Sequence, residues 1–187
     1  SPKDYPRAER LTDYEVGYGF RSRTFTAGLN LYYMDYHDQL VLNGKQSDVG
    51  GKLSENVASS HRMGAELNAS WKICPMLRWD LAGAVSQNQI KQYHLYAWSD
   101  QAGAEVLTTY DRTPIAYSPQ LVLSNTLTFA HRAFEAALTS QYVGMQYLDN
   151  TGSRERSLPA YHVASLRLGY ELPVHFVRSW SISLQIN

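Results

Sequence analysis

The sequence predicts an all-β protein, specifically a segment of an antiparallel transmembrane β-barrel with about eight strands in four hairpins. Three observations lead to this prediction. Apolar and polar side chains alternate with a period of two, aromatic rings gather at the ends of the alternating segments, and the connections between segments are alternately short and long. Together they indicate a barrel wall with short periplasmic turns and long extracellular loops.

The alternation is clearest in the first predicted hairpin. From Tyr14 to Phe20 the even positions are apolar, while the odd positions between them hold Glu15 and glycines. After a short turn at 21–23 the alternation resumes over 25–33. Further hairpins are predicted over 63–71 and 77–86, over 121–129 and 134–142, and over 164–171 and 182–186. Because successive side chains of a strand point to opposite faces, each strand has one apolar and one polar face.

Aromatic side chains on the apolar face flank the predicted short turns. They are Phe20, Phe25, Trp71, Trp79, Phe129, Phe134, Tyr170 and Trp180. This placement is typical of the aromatic girdle at a membrane interface. The links between hairpins are long, and we expect structureless loops at 35–60, 88–118 and 145–160. Compact soluble domains rarely carry even one such loop, so the pattern favours a membrane barrel over a soluble β-sandwich.

Composition and motifs argue against several other classes of protein. Lysine plus arginine and aspartate plus glutamate each number 17, so no basic surface for nucleic acid is expected. Cys74 is alone and cannot form an intrachain disulfide. No nucleophile elbow, paired-histidine motif or phosphate loop supports catalysis, so we predict no enzyme activity, cofactor or metal site. Asp35, His37 and Asp38 could hold a cation, but a solvated loop start explains them better.

The polar face carries six charged residues in or near the middle of predicted strands. They are Glu15, Glu66, Arg78, Asp80, Glu135 and Arg167. An arginine facing lipid at the bilayer midplane costs about 2–4 kcal/mol, so these side chains are expected to face the lumen. They either solvate a wet lumen or hydrogen-bond another part of an intact barrel protein.

The long connections carry aromatic and basic residues that suit ligand binding. The candidates are Tyr93, His94, Tyr96, Trp98, Tyr110, Arg112, Tyr147, Arg154 and Arg156. Rings give a large contact area, and an arginine fork binds anionic oxygens, so an anionic iron chelate would suit this mixture. Two alternatives stay open. Tyr110, Tyr147 and Tyr161 could instead form an outer aromatic girdle, and His94 could be an ordinary loop residue.

Six segments resemble the barrel of TonB-dependent outer-membrane receptors. They are LTDYEVGY (11–18), AGLNLYYMDY (27–36), RMGAEL (62–67), TPIAYSP (113–119), YVGMQY (142–147) and LPAYHV (158–163). Their order and spacing extend the resemblance over nearly the whole chain. Such receptors have a barrel of about 22 strands occluded by an N-terminal plug. The resemblance implies that residues 1–187 are a partial barrel domain without a plug, equivalent to the fourteenth to twenty-first strands, and that a last strand would follow Asn187.

The resemblance also implies a function, a location and partners. Receptors of this kind import scarce nutrients through the outer membrane of Gram-negative bacteria. The expected partners are outer-membrane lipid, the receptor's own plug, TonB acting through that plug, and a small-molecule nutrient such as a ferric siderophore. The six charged residues of the polar face would then face the plug. Alternatives are a SusC-like glycan importer, or a self-contained small outer-membrane barrel with a passive or structural role.

Overall fold

The computed structural model describes residues 6–46, 52–172 and 180–187, and these residues form an almost entirely β structure. The strands are β1 Arg10–Arg21, β2 Phe25–Gln46, β3 Lys52–Cys74, β4 Leu77–Ser99, β5 Ala104–Pro114, β6 Leu121–His131, β7 Phe134–Val143, β8 Gln146–Tyr147, β9 Ser157–Leu158, β10 Tyr161–Leu172 and β11 Trp180–Ile186. A short 3₁₀ turn covers Arg154–Arg156. Throughout the described ranges, no helix is both long enough and apolar enough to cross a membrane.

Nine of these strands form one antiparallel sheet, and eight of them follow the order β1-β2-β3-β4-β6-β7-β10-β11. This arrangement confirms the predicted wall of about eight strands in four hairpins. β5 pairs with the same edge of β4 as β6 does, but farther along that strand. β1 and β11 are the two edges, and within the described residues they do not pair with each other, so the sheet is an open segment of a barrel.

The register between strands fixes the two faces of this sheet, because directly opposed residues in antiparallel strands point to the same side. Tyr32 lies opposite Glu15 on one side and opposite Gly64 on the other. We call this polar side the lumen face. The outer face carries the predicted apolar residues, and their side chains remain accessible: Val16 is 71% exposed and Leu138 is 48% exposed. A continuous apolar face of this extent requires a lipid environment.

The short turns lie at one end of the sheet, which we call the turn end, and aromatic rings pack there. The ring centroids of Phe20 and Phe25 are 6.2 Å apart, and those of Phe129 and Phe134 are 6.4 Å apart. The side chain of Trp180, expected in the same girdle, lies outside the described residues. We take the membrane-spanning segments to include 25–33, 63–71, 77–85, 121–129 and 134–142. Their length suits a tilted strand, which needs about 9–11 residues.

The opposite end of the sheet, which we call the loop end, differs in part from the prediction. The connections there are long, but structureless loops were the wrong expectation for 35–60 and 88–118, and the link 145–160 contains the paired strands β8 and β9 and the 3₁₀ turn. β2 and β3 continue as a paired hairpin beyond the wall, and β4 pairs with β5 over residues 89–99. Residues 47–51 of the first link lie outside the described part. Cross-strand ring pairs such as Tyr93 and Tyr110, with centroids 6.2 Å apart, supply the local packing that holds these hairpins.

Two left-handed residues interrupt the alternation where the hairpins leave the wall. Asp38 in β2 has φ 56° and Gln92 in β4 has φ 55°, a conformation that is uncommon outside glycine. Beyond each of them, odd-numbered residues that would have faced lipid turn inward: Val41 is 7% exposed and Tyr93 is 1% exposed. Packed with them are Val57, Ile90 and Ile115. The extended hairpins therefore have a hydrophobic core of their own.

Candidate functional site

A cavity of about 340 Å³ opens at the loop end of the sheet, and we call it the mouth cavity. Residues 39–42 of β2, the ring of Tyr93, the segment after β5 and loop residues 148–150 form its walls. The guanidinium groups of Arg62 and Arg156 complete the lining. A mostly apolar concave surface with a few convergent polar groups is the usual composition of a small-ligand site. The mouth cavity is therefore the candidate functional site.

Asn150 fixes the loop that covers this cavity. Asn150 is buried, with only 4% of its surface exposed. Its Oδ1 accepts a hydrogen bond from the Ala116 N–H at 2.7 Å, and its Nδ2 donates to the Leu42 carbonyl at 3.3 Å. The Tyr117 N–H also donates to the Tyr147 carbonyl at 2.9 Å. These bonds tie the loop between β7 and β10 to β2 and to the segment after β5, so a few buried polar contacts set the shape of the cavity.

Asp149 and Arg156 form an ion pair within this loop, with Nη1 and Oδ2 2.9 Å apart. Thr151 donates to the same carboxylate through its N–H at 2.9 Å and through its hydroxyl at 2.6 Å. Burial alone would raise the pKa of Asp149, but the bonds from Thr151 and Arg156 outweigh it and lower that pKa. Asp149 is therefore ionised at neutral pH and offsets the charge of Arg156.

Tyr93 is a core residue rather than the exposed loop ring that the sequence suggested. It is 1% exposed, and its hydroxyl donates to the Leu42 carbonyl at 2.9 Å. Burial, followed by the negative charges of Asp149 and Glu55, raises the pKa of Tyr93 to about 12. The ring is thus neutral and fixed, and it presents a rigid surface to the mouth cavity.

The structure separates the nine predicted ligand residues into groups. Tyr93, Tyr110 and Arg156 lie in the core or lining of the mouth cavity. His94, Tyr96 and Trp98 lie on the extended part of β4, where Trp98 is 69% exposed. Tyr147 and Arg154 line a neighbouring cavity of about 380 Å³. Arg112 lies opposite Lys91 on the outer face. Their contacts with a ligand stay predictions.

Arg62 is a charged cavity residue that the sequence reasoning missed, as it missed Tyr117 and Asn150. It projects from the lumen face of β3, and its Nη1 donates to the Ser118 hydroxyl at 3.3 Å. It also lines a second cavity of about 350 Å³ on the lumen face, together with Glu15 and Glu66. Among the described residues, no carboxylate lies within ion-pair distance of its guanidinium group. The alternation of β3, continued by one residue beyond the predicted strand, would have placed Arg62 on the lumen face.

The six charged residues predicted for the polar face all lie on the lumen face by register. Two ion pairs form among them: Arg78 Nε lies 2.7 Å from Asp80 Oδ2, and Arg167 Nη2 lies 2.7 Å from Glu135 Oε1. Exposed pairs of this kind contribute little to stability, so they can exchange partners at low cost. Contact with a plug stays a prediction.

Comparison with known families agrees with this geometry. Residues 4–187 match the family model described as TonB dependent receptor-like, beta-barrel. The chain belongs to this family. TonB-dependent receptors are transporters and not enzymes. No curated protein matches the chain by sequence.

Solved structures of TonB-dependent receptors share the fold of this family member. The ferric yersiniabactin uptake receptor FyuA from Yersinia pestis is 19% identical, with a TM-score of 0.62 over 87% of this chain and 22% of that one. The copper transporter OprC is 17% identical, with a TM-score of 0.70 over 97% and 25%. The ferric-catecholate import receptor Fiu from K12 E. coli is 17% identical, with a TM-score of 0.63 over 95% and 23%. The chain therefore spans about a quarter of the length of these structures.

Proposed function

We propose that this segment forms the substrate-binding mouth and part of the wall of a TonB-dependent importer in the outer membrane of a Gram-negative bacterium. One observation carries the proposal: the mouth cavity at the loop end and the cavity on the lumen face share Arg62 and Tyr117 in their walls. A ligand held at the mouth would therefore lie at the start of a path along the lumen. The proposal requires outer-membrane lipid, a plug and TonB as partners.

The chemistry of the mouth favours an anionic chelate, and a ferric siderophore is the substrate that we propose. Arg62 offers a guanidinium group that no described carboxylate neutralises, and such a group binds anionic oxygens in a fork. Tyr117, which is 55% exposed, adds an aromatic surface at the same place. Two of the solved structures with this fold are named as receptors for ferric yersiniabactin and for ferric catecholates, which supports this class of substrate.

Uptake of ferric siderophores by an Arg62→Gln variant tests this proposal. The full-length protein would be expressed in a Gram-negative host that lacks its own siderophore receptors, and a ferric catecholate, a ferric hydroxamate and a mixed-donor ferric chelate would be supplied in turn. The unchanged protein should take up at least one of them. A charge-assisted hydrogen bond contributes about 1.5–3 kcal/mol, so Arg62→Gln should raise the Kd for that chelate roughly tenfold or more. Arg23→Gln, at the exposed turn end, is the matched control and should bind normally.

Two results would contradict the proposal. Failure of the unchanged protein to take up any of the three chelates would remove the ferric siderophore as substrate. Equal affinities of the Arg62→Gln variant and the control would remove the mouth cavity as the site. Uptake of a neutral oligosaccharide in the same assay would favour a glycan importer, because aromatic surfaces also stack on sugars.

A further inference from the structure

A pair of cations lies on the outer face of the sheet, beyond the band that faces lipid tails. Lys91 of β4 lies directly opposite Arg112 of β5 and, on its other side, directly opposite Ser59 of β3. The β3–β4 register is continuous from Lys91 down to Val85, which lies within the spanning segment and is 55% exposed. Because the alternation is unbroken over this stretch, Lys91 and Arg112 point to the same side as Val85, away from the lumen.

The height of this pair corresponds to the lipid headgroups. Tyr14 and Tyr33 pack together on the outer face, with centroids 6.5 Å apart, and mark the outer limit of the apolar band. Lys91 is 14 residues along β4 from Leu77 at the turn end, which is about 46 Å along a strand and about 33 Å in height for a strand tilted at about 45°. The apolar band of an outer-membrane barrel is about 25 Å tall, so Lys91 lies about 8 Å beyond it. Headgroups occupy about 5–8 Å beyond the hydrocarbon.

His61 lies beside Lys91 and Arg112 on the outer face, and its imidazole adds a third nitrogen group to this patch. Its ring stacks on Tyr33 with centroids 6.1 Å apart. Burial lowers the pKa of His61, and the positive charges of Lys91 and Arg112 lower it further, while Asp35 acts in the opposite direction. His61 lies directly opposite Gln89, two residues from Lys91 on the same face of β4. Asp35, the carboxylate of this patch, also lies 3.4 Å from the ring of His37.

Asp35 lies closest to the ring of His37 and forms no ion pair with Lys91 or Arg112 among the described residues. Like charges directly opposite each other on neighbouring strands destabilise a sheet. Both residues are exposed, and in the described ranges neither has a carboxylate within ion-pair distance. We propose that Lys91, Arg112 and His61 form a binding site for the phosphate groups of an outer-leaflet lipid headgroup. Phosphate is the anion that basic groups meet at this height, and the site lies on the outer face, separate from the mouth cavity.

Binding of phosphorylated lipid A to the full-length protein in detergent micelles tests this site. A Lys91→Gln/Arg112→Gln double variant should bind it roughly 20- to 30-fold more weakly, since each surface cation contributes about fivefold to the affinity for anionic lipid. An Arg21→Gln/Arg23→Gln double variant removes the same charge from the exposed turn end and should bind normally. A Lys91→Arg/Arg112→Lys variant keeps both positive charges and should therefore bind lipid A like the unchanged protein. The affinity for the proposed ferric chelate, measured in the same micelles, should be unchanged in a Lys91→Gln variant.

Four outcomes would overturn the inference. Equal binding of lipid A to the unchanged protein and to the Lys91→Gln/Arg112→Gln variant would show that the pair does not hold the headgroup. Equal binding of dephosphorylated lipid A would remove the phosphate as the recognised group. Competition by inorganic phosphate at the same concentration as lipid A would show a site for free phosphate instead. Loss of binding in the Lys91→Arg/Arg112→Lys variant, which keeps both charges, would contradict recognition by charge at this position.

Discussion

At the residue scale, Gly64 is the glycine of the described strands with the least room for a side chain. A Cβ atom at this position would clash with the Val85 carbonyl oxygen, and it would lie only 2.8 Å from the Tyr32 hydroxyl oxygen. The ring of Tyr32 therefore lies over the bare backbone of β3. Glycine is needed here for close approach, because the neighbour on one side is backbone that cannot move away as a flexible side chain would.

A Gly64→Ala substitution should therefore destabilise the protein. Forcing one methyl group into a packed site costs about 1–3 kcal/mol, and we expect a lower midpoint in thermal unfolding followed by circular dichroism in detergent. Gly19→Ala is the matched control, because Gly19 also lies in a strand on the lumen face but has no atom within 4 Å of the added Cβ. Equal midpoints for the two variants would contradict the close packing of Tyr32 on Gly64.

At the scale of elements, the loop between β7 and β10 depends on one buried side chain. Asn150 bonds both Ala116 and Leu42, and Leu42 is 108 residues away in sequence. The Tyr117 N–H also donates to the Tyr147 carbonyl of this loop, while the ion pair of Asp149 and Arg156 lies within the loop. The shape of the mouth cavity is therefore set by a link between elements and not by the loop sequence alone.

An Asn150→Ala substitution should open this loop. Leaving a buried N–H without its partner costs about 1–3 kcal/mol, so exchange of the Ala116 amide hydrogen should become roughly tenfold faster. Ser153→Ala lies in the same loop and removes a hydroxyl that caps nothing, so exchange there should be unchanged. Unchanged protection of the Ala116 amide in the Asn150→Ala variant would argue against the proposed link.

The same scale explains which elements could be predicted from sequence. The wall strands could be predicted, because one side of each faces lipid and a period of two in the sequence follows directly from that constraint. The extended hairpins could not be predicted, because the period is interrupted at Asp38 and Gln92. Their positive φ values do not follow from the residue types. Tyr93 was consequently expected in a loop, although it belongs to a buried core.

At the scale of the whole molecule, the candidate site was only partly predictable. Aromatic and basic composition drew attention to Arg156 and Tyr93, which both line the mouth cavity. Arg62, Tyr117 and Asn150 were not found, because their importance depends on contacts between segments that are distant in sequence. Composition identifies the chemistry available to a site, whereas only the fold shows which groups converge.

The central claim at this scale is that one face of the sheet meets lipid and the other meets the lumen. Leu29 lies on the outer face, where it is 41% exposed. Its neighbour Asn30 lies on the lumen face, and its Nδ2 is 3.5 Å from Glu15 Oε2. The two residues are adjacent in β2 and therefore share the same depth in the membrane, so they differ mainly in the face that they occupy.

The most direct test compares Leu29→Arg with Asn30→Arg in the full-length protein. An arginine on the lipid face near the midplane costs about 2–4 kcal/mol, whereas one in the lumen is solvated and can pair with Glu15. The measurement is the amount of folded protein recovered from purified outer membranes. We expect a large loss for Leu29→Arg and a yield close to that of the unchanged protein for Asn30→Arg. Equal yields, or a greater loss for Asn30→Arg, would contradict the assignment of the two faces.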